Sequence, residues 1–129
     1  MKDRLLILEN SGMITSKISN QVLDTLDLLV NKYQFHAPST EMFLTHLAVS
    51  LARHEKGEVV EPVGKAMRAN LEGNKCYPNA LEVITEMEEL IAVNFDKTEH
   101  DYFIIHLCNL FQDKLKKRVS LVDGYTYIH

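Results

Sequence analysis

The spacing of apolar residues leaves this chain little choice of fold. Ile18, Val22, Leu26, Leu29 and Tyr33 recur at steps of three and four, and so do Ala80, Ile84, Met87 and Ile91. That is the period of a helix with one buried face. No run alternates apolar and polar residues long enough to make a strand. Pro38, Gly57, Pro62, Gly73 and Pro78 divide the chain at helix-length intervals. Ser39 or Thr40 is placed to cap a helix that Gly57 ends. Pro62 and Pro78 suit the first helical position, where a missing N–H costs nothing. Both D-K-T-E and T-E-H-D, near Asp96, have the form of a capping box that opens a last helix. Lys114, Lys116, Lys117 and Arg118 then favour the negative pole at its end.

The predicted helices span roughly 15–34, 39–55, 62–72, 78–94 and 98–118. Four are substantial and the third is short, which makes the chain an all-α helical bundle. Residues 1–13 read as either an arm or a short helix, and residues 119–129 as a tail. The 129 residues suit one domain.

Composition narrows the function. With a net charge of −4 and a pI near 5.8, the chain lacks the basic excess of a general nucleic-acid binder. Cys76 and Cys108 have no paired spacing, so neither a zinc site nor a disulfide framework is expected. The N-terminal apolar run is too short for a signal peptide, and no segment reaches membrane-span length, so a cytoplasmic protein is expected. No H-E-x-x-H, P-loop, dinucleotide-binding or nucleophile-elbow pattern occurs, and no metal or cofactor is expected.

Two histidines occupy unusual places. At about 100° per residue, Leu44, Leu47, Ala48 and Leu51 form the core stripe of the second helix, while His46 and Arg53 share a second, more polar line. In the last helix Ile104, Leu107, Cys108, Phe111 and Leu115 form the stripe. His106 lies away from it, on the side of Glu99, Tyr102 and Asp113, with Leu110 nearby. That helix is apolar nearly all round, which leaves a face for a partner. His36, His54, His100 and His129 fit solvated loop, helix-end or terminal positions.

The run F-L-T-H-L-A-V-S-L-A-R over residues 43–53, followed by Glu55, Lys56 and Gly57, resembles the first histidine motif of the PTS regulation domain, found in regulators of bacterial sugar-use genes. D-K-T-E-H-D-Y-F-I-I-H-L, over residues 96–107, resembles the second. Tyr77-Pro78 and the helix after it are similar to the segment between them. The resemblance covers about residues 14–118. It implies a five-helix fold with two antiparallel helix pairs, and a homodimer. It also implies that His46 and His106 are phosphorylated by carriers of the phosphoenolpyruvate-dependent sugar phosphotransferase system. Arg53 matches the arginine after the first histidine, and Glu99 and Tyr102 match positions before the second.

The residue chemistry suits those roles. A neutral imidazole nitrogen is a nucleophile at neutral pH. A phosphoryl group brings about two negative charges, which a guanidinium such as that of Arg53 accepts in a planar fork. Glu99 or Asp113 beside His106 would be repelled by the same charge. Family members usually carry two copies of the domain behind a nucleic-acid-binding module. This chain has one copy and no basic module. It reads as a free-standing regulatory module, not an enzyme, that reports to a protein partner without binding nucleic acid or membrane. The competing expectations are a structural or dimerisation domain without phosphotransfer, and a small metal-dependent enzyme.

Overall fold

The computed structural model describes residues 1–36 and 38–128, with side chains described as far as Leu115. Its secondary structure is entirely helical among these residues: α1 (Lys2–Asn10), α2 (Ser16–Asn31), α3 (Pro38–Lys56), α4 (Lys65–Gly73), α5 (Tyr77–Ile91) and α6 (Lys97–Ile128). There are thus six helices where five were expected. The sixth is α1, which buries Leu5 against the bundle and packs on α2. None of the described helices is long and apolar enough to cross a membrane.

Most boundaries follow local chemistry. Thr15 caps α2 by accepting the Ile18 N–H at 3.2 Å. Gly57, at φ 70°, closes α3 in a left-handed turn in which the Glu58 N–H reaches the Arg53 carbonyl and the Gly57 N–H the His54 carbonyl. Asp96 accepts the Glu99 N–H at 2.9 Å, but Glu99 does not complete a capping box because its carboxylate points elsewhere.

Other boundaries depart from expectation. α3 starts at Pro38, so Ser39 and Thr40 lie inside it and neither is its cap. α4 starts three residues after Pro62, with Gly64 as an extended N-cap. The carbonyl of Glu61, just before Pro62, is held by the Tyr102 hydroxyl at 2.9 Å, which keeps the segment extended along α6. α6 runs past residue 118 to Ile128, because no proline interrupts it and a single Gly124 costs only about 1 kcal/mol. Residues 119–128 of the expected tail are therefore helical, and the basic cluster is not in a last turn. Lys114 instead donates to the carbonyl of Tyr33 beyond the end of α2 at 2.7 Å, while the side chains of Lys116, Lys117 and Arg118 lie outside the described residues.

The helices α2, α3, α6 and α5 pack in that cyclic order around one core, and α4 bridges α5 and α6. Leu44, Leu47, Ala48 and Leu51 are buried, as are Ala80, Ile84, Met87 and Ile91. Ile104, Leu107 and Cys108 join them from α6. Phe111 is half-buried and Leu115 exposed, because the bundle ends before that turn. Phe103 centres the core, with Phe43 and Phe95 meeting it edge to face at 5.7 and 4.9 Å.

Candidate functional site

Helices α3 and α6 run antiparallel, and their register sets the site. Ser39 faces Asp113, His46 faces His106, and Arg53 faces Glu99. Each step is seven residues forward on α3 and seven back on α6, about two turns, so the three pairs form three layers along one seam. The apolar stripes of both helices turn inward. The seam is the more polar flank that the histidine faces created.

The middle layer brings the two imidazoles together, with ring centroids 5.1 Å apart and planes inclined by 40°. Phe103 meets His46 edge to face at 5.6 Å, Tyr102 lies beside it at 5.9 Å, and Phe43 is 6.1 Å from His106. Both histidines are half-buried, and the His46 side chain retains 23% exposure. Burial, and then the charge of His46, lower the pKa of His106 and favour its neutral form.

The next layer is organised around the buried carboxylate of Glu99. Its Oε2 accepts the Ser50 hydroxyl at 2.7 Å, and its Oε1 accepts from Arg53 Nη2 at 3.2 Å. Arg53 Nη2 also reaches Ser50 Oγ at 3.3 Å. His46 Nε2 is 3.6 Å from Glu99 Oε2, too far for a hydrogen bond and close enough for an ion pair when the ring is protonated. Burial alone would raise the pKa of Glu99. His46 and Ser50, directed at the carboxylate, and the charge of Arg53 outweigh it and lower the pKa. Two nitrogens stay unused: His46 Nε2 and Arg53 Nε are buried without a hydrogen-bond partner. Such orphans are uncommon and call for an explanation. Arg53 also lines a groove of about 240 Å³ between the α1–α2 turn and α3, alongside Leu8, Met13, Ile14, Val49 and Lys56.

The structure rearranges the residues singled out in the sequence. His46, His106, Arg53 and Tyr102 meet at the seam. Glu99 is there too, but under His46 and Arg53 rather than beside His106, because seven residues before His106 on α6 is the level of Arg53. Asp113 is removed from the histidines by two turns the other way and accepts the Ser39 hydroxyl at 2.8 Å. Arg53 is not a free surface cation, since it is paired and 27% exposed. Ser50 was missed, although it lies four residues after His46 and three before Arg53, on the same face. His100 does sit at a helix end, in the first turn of α6, but it is half-buried and paired instead of solvated: its Nε2 meets Glu88 Oε2 at 3.0 Å, and the same oxygen accepts the Phe95 N–H at 2.7 Å. His36 and His54 are exposed. His129 lies outside the described residues.

Among the described residues, no three or more His, Cys, Asp or Glu side chains are grouped as a metal site requires. Cys76 and Cys108 are free thiols, with Cys108 buried and its thiol pushed up to about 11 by burial, with Cys76 beside it adding to the shift.

No protein-family model matches the chain, and no solved structure matches it. An uncharacterized protein of Haemophilus influenzae is 26% identical over 111 residues, which span 80% of this chain and 89% of that protein. The uncharacterized protein YhfY of Escherichia coli is 23% identical over 113 residues, spanning 86% of this chain and 94% of its own length. The chain is thus similar over most of its length to two bacterial proteins of comparable size.

Proposed function

We propose that this chain is a regulatory module whose His46 and His106 receive phosphoryl groups from histidine-phosphorylated carriers of the sugar phosphotransferase system, and that it passes the result to a protein partner or through its own dimerisation. Control of carbohydrate-gene transcription is the output implied by the PTS-regulation-domain resemblance. One observation supports the reading most. Histidines from two motifs sixty residues apart in the sequence meet at 5.1 Å in a half-buried seam beside an arginine.

The chemistry is a phosphoryl exchange. The lone pair of a neutral imidazole nitrogen attacks the carrier's phosphorus, and the carrier's P–N bond breaks with its electron pair returning to the carrier imidazole. One P–N bond replaces another, so the step is reversible and suits a signal. His106, favoured in its neutral form, is ready to attack. Arg53 can meet the new anion only by sharing or releasing Glu99, so modification draws on the buried layer of the bundle as well as its surface.

A second reading has an observation of its own. Arg53 is already neutralised by Glu99, as a purely structural ion pair would be, and a dimerisation domain without phosphotransfer would keep that pair. Incubation with phosphoenolpyruvate and purified carriers separates the two. The regulatory reading expects acid-labile, alkali-stable phosphate on the chain and a change in its dimer fraction. No label, while an active carrier target in the same tube is labelled, favours the structural reading. Label without a change in dimer fraction removes only the dimer output.

A further inference from the structure

We propose that His46 and His106 form a single phosphoryl site that holds one group at a time, so that modification of either ring closes the other. The proposal rests on the phosphoacceptor reading above and adds to it a limit on occupancy.

The limit follows from the seam. The ring centroids are 5.1 Å apart, and a phosphoryl group on each would set two groups of about −2 charge side by side. Coulomb repulsion scales with the product of the charges, so two such groups repel about four times as strongly as two single charges at the same separation. A third anion is already present, because Glu99 is buried with Oε2 3.6 Å from His46. Phe43, Tyr102 and Phe103 surround the rings, and partly buried charges are screened less than exposed ones. Arg53 is the cation beside the seam, and it already serves Glu99 at 3.2 Å. Arg68 is committed to Asp101 and Glu72. A first phosphoryl group can draw on Arg53, with its unused Nε, and a second would have to compete with it and with Glu99 for the same guanidinium. The two motif histidines therefore act as alternative seats for one signal.

Potassium phosphoramidate tests this without a carrier. An imidazole lone pair attacks phosphorus, the P–N bond of the reagent breaks, and ammonia leaves with that electron pair and the proton the ring gives up. The full chain is treated folded and, separately, in urea. Top-down mass spectrometry then counts and places the phosphoryl groups in single molecules. In the folded chain, molecules modified at both His46 and His106 should be at least roughly tenfold rarer than the product of the two single occupancies. In urea the two sites should fill independently. His46→Gln should raise occupancy of His106, and His106→Gln should raise that of His46, with circular dichroism reporting that each variant is folded. Doubly modified molecules at the product frequency in the folded chain would overturn single occupancy and leave the phosphoacceptor reading standing. Neither ring modified in the folded chain, with both modified in urea, would overturn the phosphoacceptor reading and this proposal with it.

Discussion

Among the described residues two histidine–glutamate pairs occur, and they differ in one respect that matters. His100 and Glu88 meet at 3.0 Å, and the same Glu88 oxygen accepts the Phe95 N–H, so the carboxylate joins the end of α5 to the start of α6. Neither side chain there leaves a buried polar atom without a partner. His46 and Glu99 approach only to 3.6 Å, His46 Nε2 has no hydrogen-bond partner, and a second imidazole stands 5.1 Å away. The first pair spends its bonding capacity on the fold. The second keeps part of it in reserve, in a seam that remains open to solvent. Buried polar atoms without partners on side chains that are themselves part-exposed mark the seam, and not the complete pair, as the place where chemistry could be added.

The largest expected effect is on the incomplete pair's support. Arg53→Ala removes the cation from a buried carboxylate and should cost about 2–3 kcal/mol, toward the lower end for a broken buried pair because Arg53 is partly solvated. Urea denaturation measures it. A loss under about 0.5 kcal/mol would mean that Ser50 and water suffice, and that Glu99 is not the hub described here.

Next is acid sensitivity. The folded state holds Glu99 below its unfolded pKa, so its contribution is fully present above the ordinary carboxylate value and is lost as pH falls through the lower folded value. Glu99→Gln should flatten that acid limb in stability measured against pH. The same limb in wild type and variant would remove Glu99 as its cause. His106 contributes with its own sign. Its folded pKa is lowered, so the unfolded chain binds the proton more readily, and stability falls as pH drops below the ordinary histidine value. His46→Ala should move the His106 titration, followed by NMR, toward higher pH, since it removes a neighbouring positive charge. A downward movement would contradict the arrangement of the two rings.

The complete pair should behave as structure alone. His100→Ala should cost about 1 kcal/mol, the value of an ordinary hydrogen bond, and leave phosphate incorporation unchanged. The smallest effect is at the far layer. Asp113→Asn keeps an acceptor for Ser39 and should change stability by less than about 0.5 kcal/mol and labelling not at all. A labelling defect in Asp113→Asn would restore that residue to the site.

Much of this organisation was legible in residue order. The core stripe of α3 was legible because helical period alone decides which residues point inward, and Leu44, Leu47, Ala48 and Leu51 needed no knowledge of a partner. The displacement of His46 from that stripe was legible for the same reason. What faces His46 was not, because antiparallel register between α3 and α6 is set by packing at long range. A helical wheel drawn for α6 alone places Glu99 and Asp113 beside His106. The antiparallel partner instead assigns one to Arg53 and the other to Ser39. The continuation of α6 escaped, and α1 stood as one of two alternatives for residues 1–13, because neither has punctuation or a clean apolar period. The tie between His100 and Glu88 was hidden by the turn that brings α5 against α6.

One measurement bears most directly on the claim that the incomplete pair is the reactive one. The chain is incubated with phosphoenolpyruvate and purified phosphotransferase carriers, and alkali-stable phosphate is mapped over all six histidines by mass spectrometry. The account predicts label on His46 and His106, none on His100, and none anywhere in the chain carrying both His46→Ala and His106→Ala. Label on His100, or undiminished label in the double variant, would contradict it.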